Sequence, residues 1–372
     1  MSAGKLHETE RFVGLMSGTS LDGVDAALVE FHRQAPPRLL NSHYLPFEDS
    51  LRKRLLALHH PQPDEIHLAA KAGNDLAACY ARAVSALIAN FAEVPVRAIG
   101  CHGQTLRHRP DSGYTLQIGN AARLAELSGI TVVADFRSRD IAAGGQGAPL
   151  VPGFHAQALA HPMQHRVIAN LGGIANITDL PPGAAVRGWD TGPGNMLMDA
   201  WVQRYRNARY DRDGSWAASG KVHAELLKQL MAHPYLALPP PKSAGREQFN
   251  LNWLDSQIAR LPVPPQPADV QATLLEFTAA SLAHAIRTEC PGAQAVYLCG
   301  GGAHNTLLRS RLGALLAGHE LATTSSLGID PDWVEAMAFA WLARQTLHGQ
   351  PGNLPAVTGA TGPRVLGAIY PA

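Results

Sequence analysis

An apolar run from Phe12 to Met16 enters the small-residue turn Ser17–Gly18–Thr19–Ser20, and an apolar-alternating run, Val24 to Phe31, leaves it. That pattern predicts two strands joined by a turn. Arg38–Phe47 follows as a third strand, and the Leu-rich, charged stretch Ser50–Leu58 as a short helix that Pro61 and Pro63 end. Asp64 is placed to cap a long helix to about Asn90, with apolar side chains at Ile66, Ala70, Leu76, Ala77, Val84, Leu87 and Ile88. Val96–Cys101, Tyr114–Ile118 and Ile130–Ala134 read as strands, with a helix near Ala121–Leu127. Three strands followed by alternating helix and strand predict an α/β fold with a mixed sheet flanked by helices.

The rhythm breaks at Asp135–Leu150, DFRSRDIAAGGQGAPL, which is glycine-rich and has little periodicity. It reads as a flexible link or a site loop, and a domain boundary is expected near its start. Arg166–Asn170 then opens a second strand–turn–strand, VIANLGGIANITDL, with Gly172–Gly173 in the turn. The two openings share rhythm but no identity pattern, so they suggest an internal duplication without establishing one. A strand near Ala185–Trp189 delivers Asp190–Thr191–Gly192–Pro193–Gly194–Asn195, and a helix continues from Met196 to Arg206. Further helices are expected near Val222–Met231, Asn252–Ala259 and Asp269–Thr288. Strand Ala295–Cys299, turn Gly300–Gly302 and helix Asn305–Leu316 form a β-turn-α unit, and Pro331 sits early in a last helix to about Leu347.

Composition narrows the class. With 372 residues the chain suits two domains, or one large one. At 46% apolar, 16% charged and net charge +1 it makes no electrostatic case for nucleic acid or an anionic membrane. No uncharged apolar run reaches membrane-spanning length, and the polar start MSAGKLHETERF lacks the apolar stretch of a secretory signal. Cys79, Cys101, Cys290 and Cys299 form no CxxC pair and read as buried small hydrophobes in a reduced, cytoplasmic setting.

The candidate chemistry sits in the turns. Gly18 and Gly23 permit positive φ and close approach, so that N–H groups can converge on an anion. The hydroxyls of Ser17, Thr19 and Ser20 add donors, and Asp22 or Asp25 could hold Mg²⁺ through water. Alone, the stretch reads equally as a decorated hairpin turn whose aspartates cap their own backbone. Asp190 stands at a strand's carboxyl edge before a helix N-terminus, where α/β sheets place catalytic groups and favour anions. Capping alone would explain Asp190 or Thr191, but Pro193 and two glycines shape this turn more tightly than a cap requires.

Gly300–Gly302 lacks the third spaced glycine of a dinucleotide fingerprint, leaving a backbone on which a base or ribose could lie flat, or simply tight strand-to-helix packing. Gly220–Lys221 fails as a phosphate loop, since Gly214 is one residue too far upstream and Val222 replaces the required Ser or Thr. The cluster Cys101–Thr105, CHGQT, suits a hydroxylated ligand better than a thiol nucleophile. Seventeen histidines include no HExxH spacing, which argues against a catalytic zinc site. Arg137 and Arg139 could clamp a carboxylate or phosphate, or be ordinary solvated arginines. Glu335, early in the last helix, could simply complement its dipole.

Together LMSGTSLDGVDAAL, CHGQT, DFRSRDIAAGGQGAPLVP, NLGGIANIT, WDTGPGN, KSAGREQFN, CGGGAHN and the final TGA…LGAIYP resemble the anhydro-N-acetylmuramic acid kinases, in order from Val13 to Pro371. Ala244 stands where the resemblance leads one to expect Thr. The resemblance implies two related actin-like ATPase domains around a nucleotide cleft, expected over 1–134 and 135–372, with the C-terminal tail packing back on the first. It implies ATP and Mg²⁺ as cofactors and 1,6-anhydro-N-acetylmuramic acid as substrate, converted with water to N-acetylmuramic acid 6-phosphate and ADP in cytoplasmic peptidoglycan recycling. A homodimer is the expected assembly. By match to the family's motifs, Asp190 would be the base that activates water and Glu335 would assist it. Gly18, Thr19, Ser20, Leu21, Asp22, Gly23, Val24 and Asp25, with Gly172, Gly173 and Gly300, Gly301 and Gly302, would hold the nucleotide, and Asp22 would face magnesium through water. His102, Gln104, Arg137 and Asn195 would contact the sugar.

Overall fold

Runs of four to ten apolar-rich residues bounded by small polar turns are what a sheet buried under helices requires, and each becomes a strand. The computed structural model describes residues 9–18, 20–33, 35–91, 95–245 and 248–372. In chain order the strands are β1 (Thr9–Met16), β2 (Gly23–His32), β3 (Arg38–Pro46), β4 (Val96–Cys101), β5 (Gln104–Arg109), β6 (Tyr114–Ile118), β7 (Val132–Ala134), β8 (Arg166–Leu171), β9 (Ile174–Leu180), β10 (Arg187–Pro193), β11 (Ala295–Cys299), β12 (Glu320–Thr323) and β13 (Ala368–Tyr370). The chain divides into two compact units, Met1–Leu159 with Trp333–Ala372, and Ala160–Asp332.

The first unit carries a sheet of order β13-β7-β4-β1-β2-β3. β1 pairs antiparallel with β2 and parallel with β4, and β4 is parallel to β7. Helix Glu65–Ile88 buries Leu76, Tyr80, Val84 and Leu87 in a core with Val13, Leu15 and Ile99. Asp64 occupies its N-cap at φ 58°, but its side chain makes no capping hydrogen bond. Helix Val334–Leu347 packs against β1 and β4 at backbone distance. A Cβ on Gly14 would lie 1.8 Å from the Ala336 carbonyl oxygen, and one on Gly100 would lie 2.0 Å from that of Phe339.

The first unit therefore runs past the expected division at 134/135 and takes back the last forty residues. Buried Asp140 is the physical reason. Its Oδ1 accepts from Asn353 Nδ2 and from Thr358 Oγ1, both at 2.7 Å, and its Oδ2 accepts from Gly147 N at 2.8 Å. The glycine-rich segment is thereby locked to the C-terminal tail; it contains a short helix, Ser138–Ala142, rather than a flexible link. Ala368–Tyr370, in a tail read as irregular, closes the sheet as β13 on β7.

The second unit has a sheet of order β10-β9-β8-β11-β12. β8, β9 and β10 run antiparallel in succession, and β11 and β12 add in parallel to β8. Leaving out β13, both sheets have one topology: three consecutive antiparallel strands, then two parallel strands beside the first. The shared rhythm of the two openings thus corresponds to a shared strand order. Helix Pro267–Glu289 is buried along most of its length, with Leu274, Phe277 and Leu282 in a core that includes Val167, Ile177 and Trp189.

Candidate functional site

In each unit the singled-out turns fall at the carboxyl ends of the parallel strands, where open α/β sheets bind ligands. In the first unit these are the ends of β1, β4 and β7.

The turn after β1 differs from its expected form. Neither Gly18 nor Gly23 takes positive φ; Leu21 does, at 56°, with its side chain buried in the core. Gly23 is needed for packing, because a Cβ there would lie 2.5 Å from the Leu45 carbonyl oxygen. Ser17 is committed to the framework rather than offered to an anion: its buried Oγ donates to the Gly103 carbonyl at 3.0 Å and lies 2.7 Å from the Tyr80 hydroxyl. Ser20 and Asp22 are exposed, and Ser20 Oγ donates to Asp22 Oδ1 at 2.7 Å. Val24 is buried and Asp25 half-buried in β2, while Thr19 lies outside the described residues.

The turn after β4 brings three expected residues to one place. Buried Gln104 donates from Nε2 to the Gly18 carbonyl at 3.1 Å, tying the two turns together, and its buried Oε1 has no hydrogen-bond partner among the described residues. Arg137 approaches His102 Nε2 with Nε at 3.2 Å and Nη2 at 3.0 Å, and donates from Nη1 to the Gly147 carbonyl at 2.8 Å. Burial, with the guanidinium charge beside it, lowers the His102 pKa to about 3. The ring is therefore neutral, with Nε2 as acceptor. Glu335 lies in the first turn of the helix Val334–Leu347; burial raises its carboxyl pKa and the charge of Arg137 opposes that rise. His102 and Phe136 both pack on Phe339 one turn further along, at ring separations of 4.8 and 5.7 Å. Cys101 is buried with its thiol pKa pushed up to about 12, which fits a small hydrophobe and not a nucleophile.

In the second unit three turns meet at the ends of β8, β10 and β11. The carbonyls of Gly172 and Gly173 accept from Gly194 N, Asn195 N and Met196 N at 2.8–3.1 Å. Those N–H groups open the helix Met196–Arg206 and are spent on the neighbouring turn. Those three donors are therefore satisfied within the protein and are not offered to an anion. Asn195 Nδ2 donates to the Leu171 carbonyl at 2.8 Å, and its Oδ1 lies 2.9 Å from where a Gly302 Cβ would stand. Asn195 therefore shapes the glycine turn. Gly300 takes φ 76°, where a Cβ would meet Asn170 Oδ1 at 2.3 Å, whereas Gly301 is exposed with open space beside it.

Asp190 lies inside β10 rather than beyond a strand end, at a register shift between Asp190 and Gly192. β10 is the sheet edge, and the segment 235–244 covers it there. Asp190 N donates to the Lys242 carbonyl at 3.1 Å, Tyr235 Oη donates to the Asp190 carbonyl at 2.7 Å, and Ala244 N donates to Asp190 Oδ2 at 2.9 Å. The last bond comes from the backbone, so Ala in place of Thr at 244 leaves it intact. Tyr235 and Lys242 carried no local signal, because their roles depend on a fold-back of some fifty residues.

A magnesium ion was expected at Asp22. Among the described residues no group of three or more His, Cys, Asp or Glu side chains could hold a metal. One exposed carboxylate suits an ion that keeps its waters and rides on phosphate oxygens, the usual habit of Mg²⁺. Among the described residues no helix is long and apolar enough to cross a membrane.

The sequence profile of the anhydro-N-acetylmuramic acid kinases matches residues 10–372. The chain is 66% identical to the anhydro-N-acetylmuramic acid kinase of Thiobacillus denitrificans, covering 100% of both proteins. It is 55% identical to that of Nitrosospira multiformis, covering 97% of this chain and 99% of the relative. Among solved structures it is similar, at a TM-score of 0.43 and 9% identity, to the activator of 2-hydroxyisocaproyl-CoA dehydratase from Clostridium difficile with bound ADPNP, over 89% of this chain and 92% of that one.

Proposed function

The chain belongs to the anhydro-N-acetylmuramic acid kinase family, and we propose that it hydrolyses the 1,6-anhydro bond of 1,6-anhydro-N-acetylmuramic acid and phosphorylates O6 with ATP. The full-length family match carries this reading; the roles below are assigned by motif and by the chemistry that each residue's surroundings permit.

Asp190 takes a proton from water as the water oxygen bonds to the anomeric carbon. The C1–O6 pair leaves with O6, which attacks the γ-phosphorus as the bond to ADP breaks. Ring opening itself supplies the nucleophile, so O6 needs no base of its own. Glu335, a carboxylate of raised pKa, assists in orienting the water. Gln104, His102 and Arg137 contact the sugar: neutral His102 is an acceptor held in place by Arg137, Gln104 Oε1 is an acceptor left unspent among the described residues, and Arg137 is the cation for the lactyl carboxylate. The segment Gly18–Asp25 and the turns Gly172–Gly173 and Gly300–Gly302 hold the nucleotide, with open Gly301 admitting the adenosine. Asp22 would hold Mg²⁺, which would supply neutralisation of phosphate charge, a principal term in phosphoryl transfer. The work is cytoplasmic, in peptidoglycan recycling, and the protein is a homodimer, which light scattering would show as twice the chain mass.

Reaction in ¹⁸O-water tests the coupling. Label is expected at the anomeric hydroxyl of the phosphorylated product, formed only with ATP and Mg²⁺ present. Unlabelled product would make the chain a plain sugar kinase, and labelled sugar without ATP a hydrolase. Asp190→Asn is expected to lower kcat by about a thousandfold while ATP binding, by calorimetry, changes little. Near-normal turnover would remove Asp190 from the base role.

A further inference from the structure

Asp190 is gripped at three points by one short segment, and that segment is closed on itself by the half-buried ammonium of Lys242. The 3₁₀ turn Pro234–Ala237 presents the carbonyls of Tyr235 and Leu236, which accept from Lys242 Nζ at 3.2 and 3.1 Å. The same ammonium stands 4.9 Å from the centre of the Tyr235 ring. Burial lowers the Lys242 pKa, but its position fits a charged group, because two carbonyls and a ring face converge on it. Tyr235 is 3% exposed, and its ring packs edge-on against Phe249 at 5.8 Å. From this closed loop the Tyr235 hydroxyl reaches the Asp190 carbonyl, the Lys242 carbonyl receives Asp190 N, and two residues on Ala244 N reaches the carboxylate.

We propose that Tyr235 and Lys242 are positioning residues for Asp190: Lys242 closes the loop, Tyr235 anchors it to the strand edge, and together they fix how the carboxylate is aimed. The proposal rests on Asp190 being the base. The sheet leaves the outer N–H and C=O groups of an edge strand unpaired, and a loop that covers them fixes the strand there; displacement of a catalytic group by about 1 Å can cost on the order of a hundredfold in rate. The grip acts on aim, not on substrate binding, so its loss falls on kcat.

Tyr235→Phe removes one hydroxyl and is expected to lower kcat about tenfold, with KM for ATP within about twofold of the parent. Lys242→Met is expected to cost about thirtyfold, and Lys242→Arg, which keeps a cation that can reach both carbonyls and stack on the ring, to recover to within about threefold. Asp190→Asn retains an oxygen to accept from Ala244 N. In that background Tyr235→Phe should therefore cost nothing more, within about twofold. Active Asp190→Asn would end the base assignment itself. Inactive Asp190→Asn beside Tyr235→Phe and Lys242→Met of parental kcat would overturn the grip alone. So would losses that multiply in the double variant, since they would mean that Tyr235 acts elsewhere. Circular dichroism of each variant separates unfolding from loss of aim; if Lys242→Met unfolds, Tyr235→Phe and its double variant still decide.

Discussion

Asp190 and Glu335 carry one functional group into different surroundings. A backbone N–H holds the Asp190 carboxylate, whereas burial drives the Glu335 pKa up and the charge of Arg137 restrains it. Removing that charge in Arg137→Met therefore raises the Glu335 pKa further. A rate that needs ionised Glu335 will then fall away at higher pH, so the acid limb of the kcat/KM profile is expected to move upward, and to move less in Arg137→Lys. An unmoved limb would show that Glu335 ionisation does not govern the rate. Asp190 stood out as a candidate because a proline and two glycines mark its turn. The hydroxyls near Gly18 were legible only as a class: composition cannot tell that Ser17 faces Tyr80 and Gly103 while Ser20 faces Asp22. Asp140 was invisible, since its partners Asn353 and Thr358 lie more than two hundred residues away.

At the scale of elements, apolar-rich strands declared themselves, as Val96–Cys101 and Ala295–Cys299 do. β5 did not, because QTLRHR shows no apolar alternation. It pairs with β6 through polar neighbours instead, with His108 Nδ1 3.0 Å from Thr115 Oγ1 and Gln117 Nε2 donating to Thr105 Oγ1 at 3.2 Å. Nor does a glycine inside a strand announce why it is there. Gly14 and Gly100 let the helix Val334–Leu347 lie against the backbone of β1 and β4, which sets the depth of Glu335. Backbone cannot yield as a side-chain tip can. Gly100→Ala is thus expected to destabilise the first unit by about 1–3 kcal/mol or more, seen as a lower urea midpoint. Gly301→Ala, with open space and ordinary φ, should change the midpoint little. Equal midpoints for both variants would mean that the helix can lift without cost.

At the scale of the whole molecule, two sheets of one topology come from segments without a shared identity pattern, so the repeat is carried by apolar rhythm and strand order rather than by particular residues. The first unit is closed by chain that returns after the second is complete, a fact no local pattern contains. That unit also holds three histidines whose surroundings suppress protonation. Burial takes His102 and His155 from the ordinary 6.5 to about 3, and His108 to about 4, with Arg137 adding to the shift at His102 and His108. The folded values lie below the unfolded one, so on acidification the unfolded chain takes up protons that the folded chain refuses. This contribution to stability is complete above about pH 6.5 and is lost as pH falls toward the folded values. For His102 and His155, 6% and 1% exposed, the loss approaches about 1.4 kcal/mol per pH unit each. The melting temperature is expected to drop steeply between pH 6.5 and 5 by scanning calorimetry, and His155→Gln should flatten the slope by about one proton. A melting temperature level across that range, or a slope unchanged in His155→Gln, would mean that the unit opens to admit the proton while still folded.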